Sequence, residues 1–193
     1  MNGVRGLVSS LALALAALAS MAVGAADVVL RTEAGPVRLT EVVRGLDKPW
    51  SIAFLPDGRL LLTERPGRMR IAARDGTLSA PLAGVPAVHA EGQGGLLDVA
   101  LSPDFATDQR IVFSYAQPTL TGARTAVARA RLDVAALKLE DVKLIFSQNE
   151  DPAGKHHWGS RLVFDRAGQL FVTLGDRFHP REQAQALDSH LGK

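Results

Sequence analysis

No cysteine occurs among the 193 residues. This excludes thiolate metal sites, cysteine nucleophiles and a disulfide scaffold, so the chain must rely on a hydrophobic core of its own. An excess of charge is missing too, with 22 basic residues against 20 acidic ones. That near balance gives no electrostatic case for binding nucleic acid or a membrane surface. Helical periodicity is lacking, apart from a short turn expected over 180–187. The five histidines include no His-x-x-x-His or His-x-His pair and have no carboxylate at ligand spacing. A histidine zinc site is therefore not expected, and no metal ligand is named. Against these absences stand 47% hydrophobic and 22% charged residues, the make-up of an ordinary globular chain.

The first residues differ from the rest. Arg5 is the only charge before Asp27, an apolar run extends from Leu7 to Val23, and Gly24, Ala25 and Ala26 follow. This is the pattern of a secretory signal peptide over residues 1–26, cut after Ala25 or Ala26. The alternative is an N-terminal anchor, since the run approaches a spanning length. Cleavage predicts a periplasmic or secreted protein with no remaining membrane segment, and 21 basic against 20 acidic residues once Arg5 is lost.

Three stretches share one plan: "PWSIAFLPDGRLLLTERPGRMRI" (49–71), "LLDVALSPDFATDQRIVFSYAQ" (96–117) and "SRLVFDRAGQLFVTLGDR" (160–177). Each is an apolar strand, a polar turn and a second apolar strand. The turns hold Pro56-Asp57-Gly58, Pro103-Asp104 and Arg166-Ala167-Gly168, which read as hairpin connections. Phe54, Leu101 and Phe164 occupy the same place in each unit. Further strands are expected over 68–73, 125–133 and 142–148. In "ARTAVARARL" (123–132) the Arg residues alternate with Ala and Val, which predicts a strand with one solvated face; a phosphate-binding patch is the other reading. Similar units of several short strands predict an all-β fold, a β-propeller, with a β-sandwich as the alternative. At roughly 50 residues per blade, residues 27–193 supply about three blades, fewer than the four to eight usual in propellers. A partial propeller, truncated at its C-terminus, is the expectation for this domain.

Loops that enter the first strand of each unit are expected to collect at one end of the propeller channel. Two such loops carry candidate chemistry. "HAEGQGGLLDVAL" (89–101) surrounds Gln93 with Gly92, Gly94 and Gly95, which would let backbone approach a ligand; a glycine-rich turn with a solvated Gln93 is the plain alternative. "GKHHWGSRLVF" (154–164) pairs His156 with His157. Neighbours at the start of a strand point to opposite sides, so the two cannot readily share a metal. A single imidazole at the channel mouth suits proton abstraction from a sugar or alcohol hydroxyl near neutral pH, although a lone loop histidine is commonly just solvated.

Together, "GLDKPWSIAFLPDGRLLLTERPGRMRI", "EGQGGLLDVALSPDF", "HWGSRLVFDRAGQLFVTLGDR" and "AQALDSHLGK" resemble the N-terminal half of the soluble quinoprotein sugar dehydrogenases. The resemblance runs from about Gly45 to Lys193. It implies a six-bladed propeller that oxidises the C1 hydroxyl of aldose sugars by hydride transfer to pyrroloquinoline quinone (PQQ) bound with Ca2+, and then passes electrons to an acceptor of unspecified identity. It also implies that His157, in the pattern His-x-x-x-Arg-Leu-Val, is the general base. Gln93, in Gly-Gln-x-Gly-Leu-Leu, becomes a hydrogen-bond partner of the substrate. His156 stands where some members carry an acid, so the group that orients His157 is not given. The PQQ and calcium ligands are expected mostly beyond Lys193. Arg161 and Asp176 are read as bracing the hairpin, and the isolated chain is expected to be inactive.

Two rival readings keep the architecture and change the activity. A metal-dependent lactonase would need converging ligands, for which only Asn149 and Asp176 offer themselves. An exported, non-catalytic binding module needs none.

Overall fold

The computed structural model describes residues 28–151 and 153–193, and the signal-peptide reading of residues 1–26 lies outside them. The chain divides into two compact units, one ending at Glu41 and one spanning Val42–Lys193. In the first, β1 (Val28–Thr32) and β2 (Gly35–Leu39) form an antiparallel hairpin. The Thr32 hydroxyl closes its turn by donating to the Gly35 carbonyl at 2.7 Å. The sequence reading assigns no strand here. All five residues of β1 are exposed, so there is no inside-outside alternation to read.

The second unit contains three antiparallel sheets in chain order. The first is β3 (Pro49–Phe54), β4 (Leu60–Glu64) and β5 (Arg68–Ala72). The second is β6 (Leu96–Leu101), β7 (Arg110–Pro118), β8 (Ala123–Asp133) and β9 (Lys138–Ser147), with a helical turn α1 (Phe105–Asp108) between β6 and β7. The third is β10 (Gly159–Phe164) and β11 (Leu170–Leu174), followed by a 3-10 turn over Arg181–Gln185 where 180–187 was expected. The three hairpins close alike: Leu55 N–H donates to the Arg59 carbonyl, Ser102 N–H to Arg110, and Asp165 N–H to Gln169, each at 2.9 Å. The residue before each acceptor has positive φ. Gly58 and Gly168 take it freely, whereas Gln109 adopts it with a side chain at φ 52°.

Packing follows from alternation along β7. Ile111, Phe113 and Tyr115 join a buried cluster with Leu61, Met69 and Ile71 of the first sheet. Val112, one residue out of phase, joins Val127 and Leu162, against which Phe164 and Leu170 of the third sheet pack. The middle sheet is therefore apolar on both faces, and each such buried side chain is worth about 1.5–3 kcal/mol. A two-sheet sandwich does not provide this arrangement. The first strands lie side by side, β6 touching both β3 and β10, as in consecutive blades of a propeller. Each of these first strands also breaks register once: between Pro49 and Ser51, between Leu96 and Val99, and between Gly159 and Leu162.

On β8, half-buried Arg129 and Arg131 share a face with buried Thr125 and Val127 while Arg124 lies on the other, so the expected single solvated face is not found: the third sheet packs against Val127. Arg124 pairs with Asp151 at 2.7 Å, and Arg131 pairs with Glu140. Among the described residues no helix is long and apolar enough to cross a membrane.

Candidate functional site

His157 sits just before β10, with its ring about half exposed and its backbone at φ 49°. Three groups fix it. Its N–H donates to Oε1 of Gln93 at 2.8 Å, and its Nδ1 lies 2.7 Å from Oδ1 of Asp176. The Phe178 ring meets the imidazole edge-on at 5.3 Å. Nε2 of His157 has no partner among the described residues. The rings of His156, His157, Phe178 and His179 line a cavity of about 220 Å³.

The hairpin explains why Asp176 is the partner. Pairing at its closed end, Phe164 opposite Leu170, would put Arg177 across from His157 if it continued unbroken. The irregularity between Gly159 and Leu162 inserts one residue into β10, so Gly159 faces Leu174. Carried past the strand end, that offset would set Asp176 across from His157, where its side chain meets the imidazole; the Arg177 N–H also reaches the His157 carbonyl, at 3.4 Å. The ladder runs on past the strand ends, with Gly175 N–H donating to the Trp158 carbonyl at 3.2 Å. This close approach needs glycine at 175, because a Cβ there would lie 1.6 Å from the His157 carbonyl oxygen.

Asp176 is held as an anion. The Phe178 N–H bonds it at 2.9 Å, and this bond, followed by the one to His157, holds its carboxyl below the usual carboxylate value. An ionised carboxylate can only accept, so the proton between the two residues sits on Nδ1, which leaves Nε2 as the lone-pair nitrogen of the neutral ring.

Arg177, whose backbone N–H reaches the His157 carbonyl at 3.4 Å, is fully buried, with its guanidinium 3.1 Å above the Trp158 ring. It donates to the carbonyls of Gly154 and Ala123. Burial pulls its pKa down to about 10, still charged at neutral pH. Trp158, packed beside Leu97, Ala116, Ala123 and Trp50, thus anchors the segment carrying His157.

The Gln93 side chain meets the backbone of His157, and its neighbouring glycines do not open a path to a ligand. Gly92 abuts Lys155, and Gly94 abuts the Trp158 ring, so the close approach is to the chain itself. The carbonyl end of the Gln93 side chain serves His157, and its amide nitrogen has no partner among the described residues. The Arg161 side chain reaches the neighbouring sheets instead of bracing its own hairpin, lying 4.6 Å from the Trp50 ring and 3.1 Å from the buried Asp98 carboxylate. Asp176, expected only to brace the hairpin, contacts the His157 ring directly. Asn149 is tied to His190 and Asp188 and does not converge with Asp176. Among the described residues no group of three or more His, Asp or Glu is placed to hold a metal ion.

Residues 46–193 match the model of the family described as glucose/sorbosone dehydrogenase. Among curated proteins, the chain is 47% identical over 150 residues to the aldose sugar dehydrogenase YliI of Escherichia coli K12, covering 77% of this chain and 40% of that protein. Among solved structures, the soluble aldose sugar dehydrogenase of Escherichia coli in its apo form aligns with a TM-score of 0.75 and 46% identity, covering 79% of this chain and 45% of the other. The PQQ-bound aldose sugar dehydrogenase of Streptomyces coelicolor aligns with a TM-score of 0.70 and 28% identity, covering 87% and 47%. The chain spans less than half the length of each.

Proposed function

The chain belongs to the glucose/sorbosone dehydrogenase family, and from that premise we propose that it forms the base-bearing part of a PQQ-dependent aldose sugar dehydrogenase. One observation carries the reading: His157 is bonded through Nδ1 to an ionised Asp176 and keeps Nε2 available. In this reading Nε2 takes the proton of the sugar's C1 hydroxyl, and Asp176 stabilises the imidazolium that results. PQQ, when bound, accepts the hydride from C1. Proton and hydride leave together, so little charge accumulates on the sugar, and the electrons later pass to an external acceptor. The free amide nitrogen of Gln93 donates to a sugar oxygen and orients C1 towards the base.

These residues fit the proton-accepting side of such a site and not the anchoring side. Lys155 is paired with Glu91, Arg161 with Asp98, and Arg177 is buried on Trp158. The cations beside His157 are therefore committed, and the carboxylates of PQQ, together with a calcium ion, are proposed to find their ligands elsewhere in a full-length ring. The 193-residue chain alone is accordingly expected to turn over no aldose. The leader pattern of residues 1–26 supports export to the periplasm or beyond.

The test is dye-linked aldose oxidation with added PQQ and Ca2+, run on this chain and on a form extended to the length of its relatives. Turnover is expected in the extended form alone. His157→Ala in that form should lower kcat by about 10²- to 10⁴-fold, the range for loss of a general base, without abolishing PQQ binding. Undiminished turnover in that variant would remove His157 from the mechanism.

A further inference from the structure

The three sheets each carry a hydroxyl at the same structural position. Ser51 N–H donates to Thr63 Oγ1 at 3.0 Å, Asp98 N–H to Ser114 Oγ at 2.9 Å, and Arg161 N–H to Thr173 Oγ1 at 3.0 Å. Each donor lies at the register break of a first strand, and each hydroxyl lies on the second strand. The hydroxyl's own proton crosses to the next sheet. Thr63 donates to the Leu97 carbonyl at 2.6 Å, and Ser114 to the Ser160 carbonyl at 2.7 Å. Both acceptors directly precede the next donor in the series. A register break frees an N–H and a C=O from the ladder, and a buried orphan of either kind is costly. One hydroxyl relieves an N–H on its own sheet and a C=O on the next.

Only the Ser114 bridge reaches the strand that leads away from His157. Its acceptor, Ser160, is fully buried and held at φ 80°. Asp98, whose N–H Ser114 receives, accepts the Leu162 N–H at 2.8 Å on the far side of the same break. Ser114 and Asp98 thus grip both sides of the irregularity that lies between the paired part of the hairpin and the His157–Asp176 contact.

We propose that Ser114, backed by Asp98, is a positioning residue for His157, acting through the inserted residue of β10. Ser114 touches neither imidazole nor sugar. It holds the register on which the His157–Asp176 bond depends. The meaning of this role rests on His157 being the base, but its test needs no turnover, so it fails or stands separately from the sugar-oxidation reading.

The test is 15N NMR of the full chain labelled in histidine, with the His157 ring assigned by its loss in His157→Gln. The wild type is expected to show a single Nδ1–H tautomer for this ring. Ser114→Thr should keep it, since threonine fills the same place in the other two sheets. Ser114→Ala should replace it with ring nitrogens averaged between tautomers. Thr63→Ala, which removes the equivalent bridge between the first and second sheets, should lower the urea midpoint comparably and leave the His157 signature intact. A wild-type signature in Ser114→Ala overturns the proposal, and so does its loss in Thr63→Ala, which would mean general loosening. If Ser114→Ala does not fold, Ser114→Cys, which weakens both bonds at similar volume, is read by the same criteria.

Discussion

An imidazole half open to solvent, with neither nitrogen held, exchanges tautomers and turns about its side-chain bonds; Asp176 removes both freedoms from His157. Because the Asp176 carboxyl is lowered in the folded chain, its bonding to Phe178 and His157 is complete above 3.8, its ordinary value, and is lost only as the pH falls through the lower folded value. Titration of the Asp176 carboxyl carbon by NMR should therefore give a midpoint below 3.8, and a midpoint at or above it would mean the bonds are not made in solution. Arg177 supports the same segment by packing on Trp158. Arg177→Lys should cost about 3 kcal/mol, since lysine cannot both lie flat on Trp158 and reach two carbonyls. Urea unfolding followed by tryptophan fluorescence measures that loss. At this scale the sequence reading named His157 and Gln93 as candidates and missed what joins them. The type and place of Asp176 were visible, but its pairing depends on one inserted residue in β10, which no alternation of apolar residues betrays.

Hairpins were the most legible elements, because their turns are written in proline, aspartate and glycine and their strands in alternation. The second hairpin departs from the pattern at Gln109, which occupies the left-handed position that Gly58 and Gly168 fill in its counterparts. Gln109→Gly should therefore stabilise the chain by about 1 kcal/mol, the strain an L side chain carries there. A higher urea midpoint with unchanged slope is the expected result, and a lower one would mean that the Gln109 side-chain contact to Arg131 outweighs the strain. By contrast, β1 and β2 were not legible, for they bury no face that would impose a pattern. The hydroxyl bridges were equally hidden: Thr63, Ser114 and Thr173 read as ordinary polar residues inside strands, and only the adjacent sheet gives them meaning.

Three similar units made the propeller readable as a whole, and the middle sheet, buried on both faces, is the physical result. That sheet also predicts how the second unit comes apart. The first and third sheets each pack against it through side chains that neighbour one another on β7, so neither sheet can leave without disturbing the other. Tryptophan fluorescence, with Trp50 in the first sheet and Trp158 beside the third, should follow the same urea transition as far-ultraviolet circular dichroism. Two separated midpoints would show that the sheets open independently. A longer shadow is cast by the single point where the His157 carbonyl lies within bonding distance of any side chain placed at 175. No other amino acid can be written there while the backbone of His157 keeps this place. In the gene, therefore, only the third base of that codon is free to drift, and lineages that keep the chemistry should differ at position 175 silently or not at all.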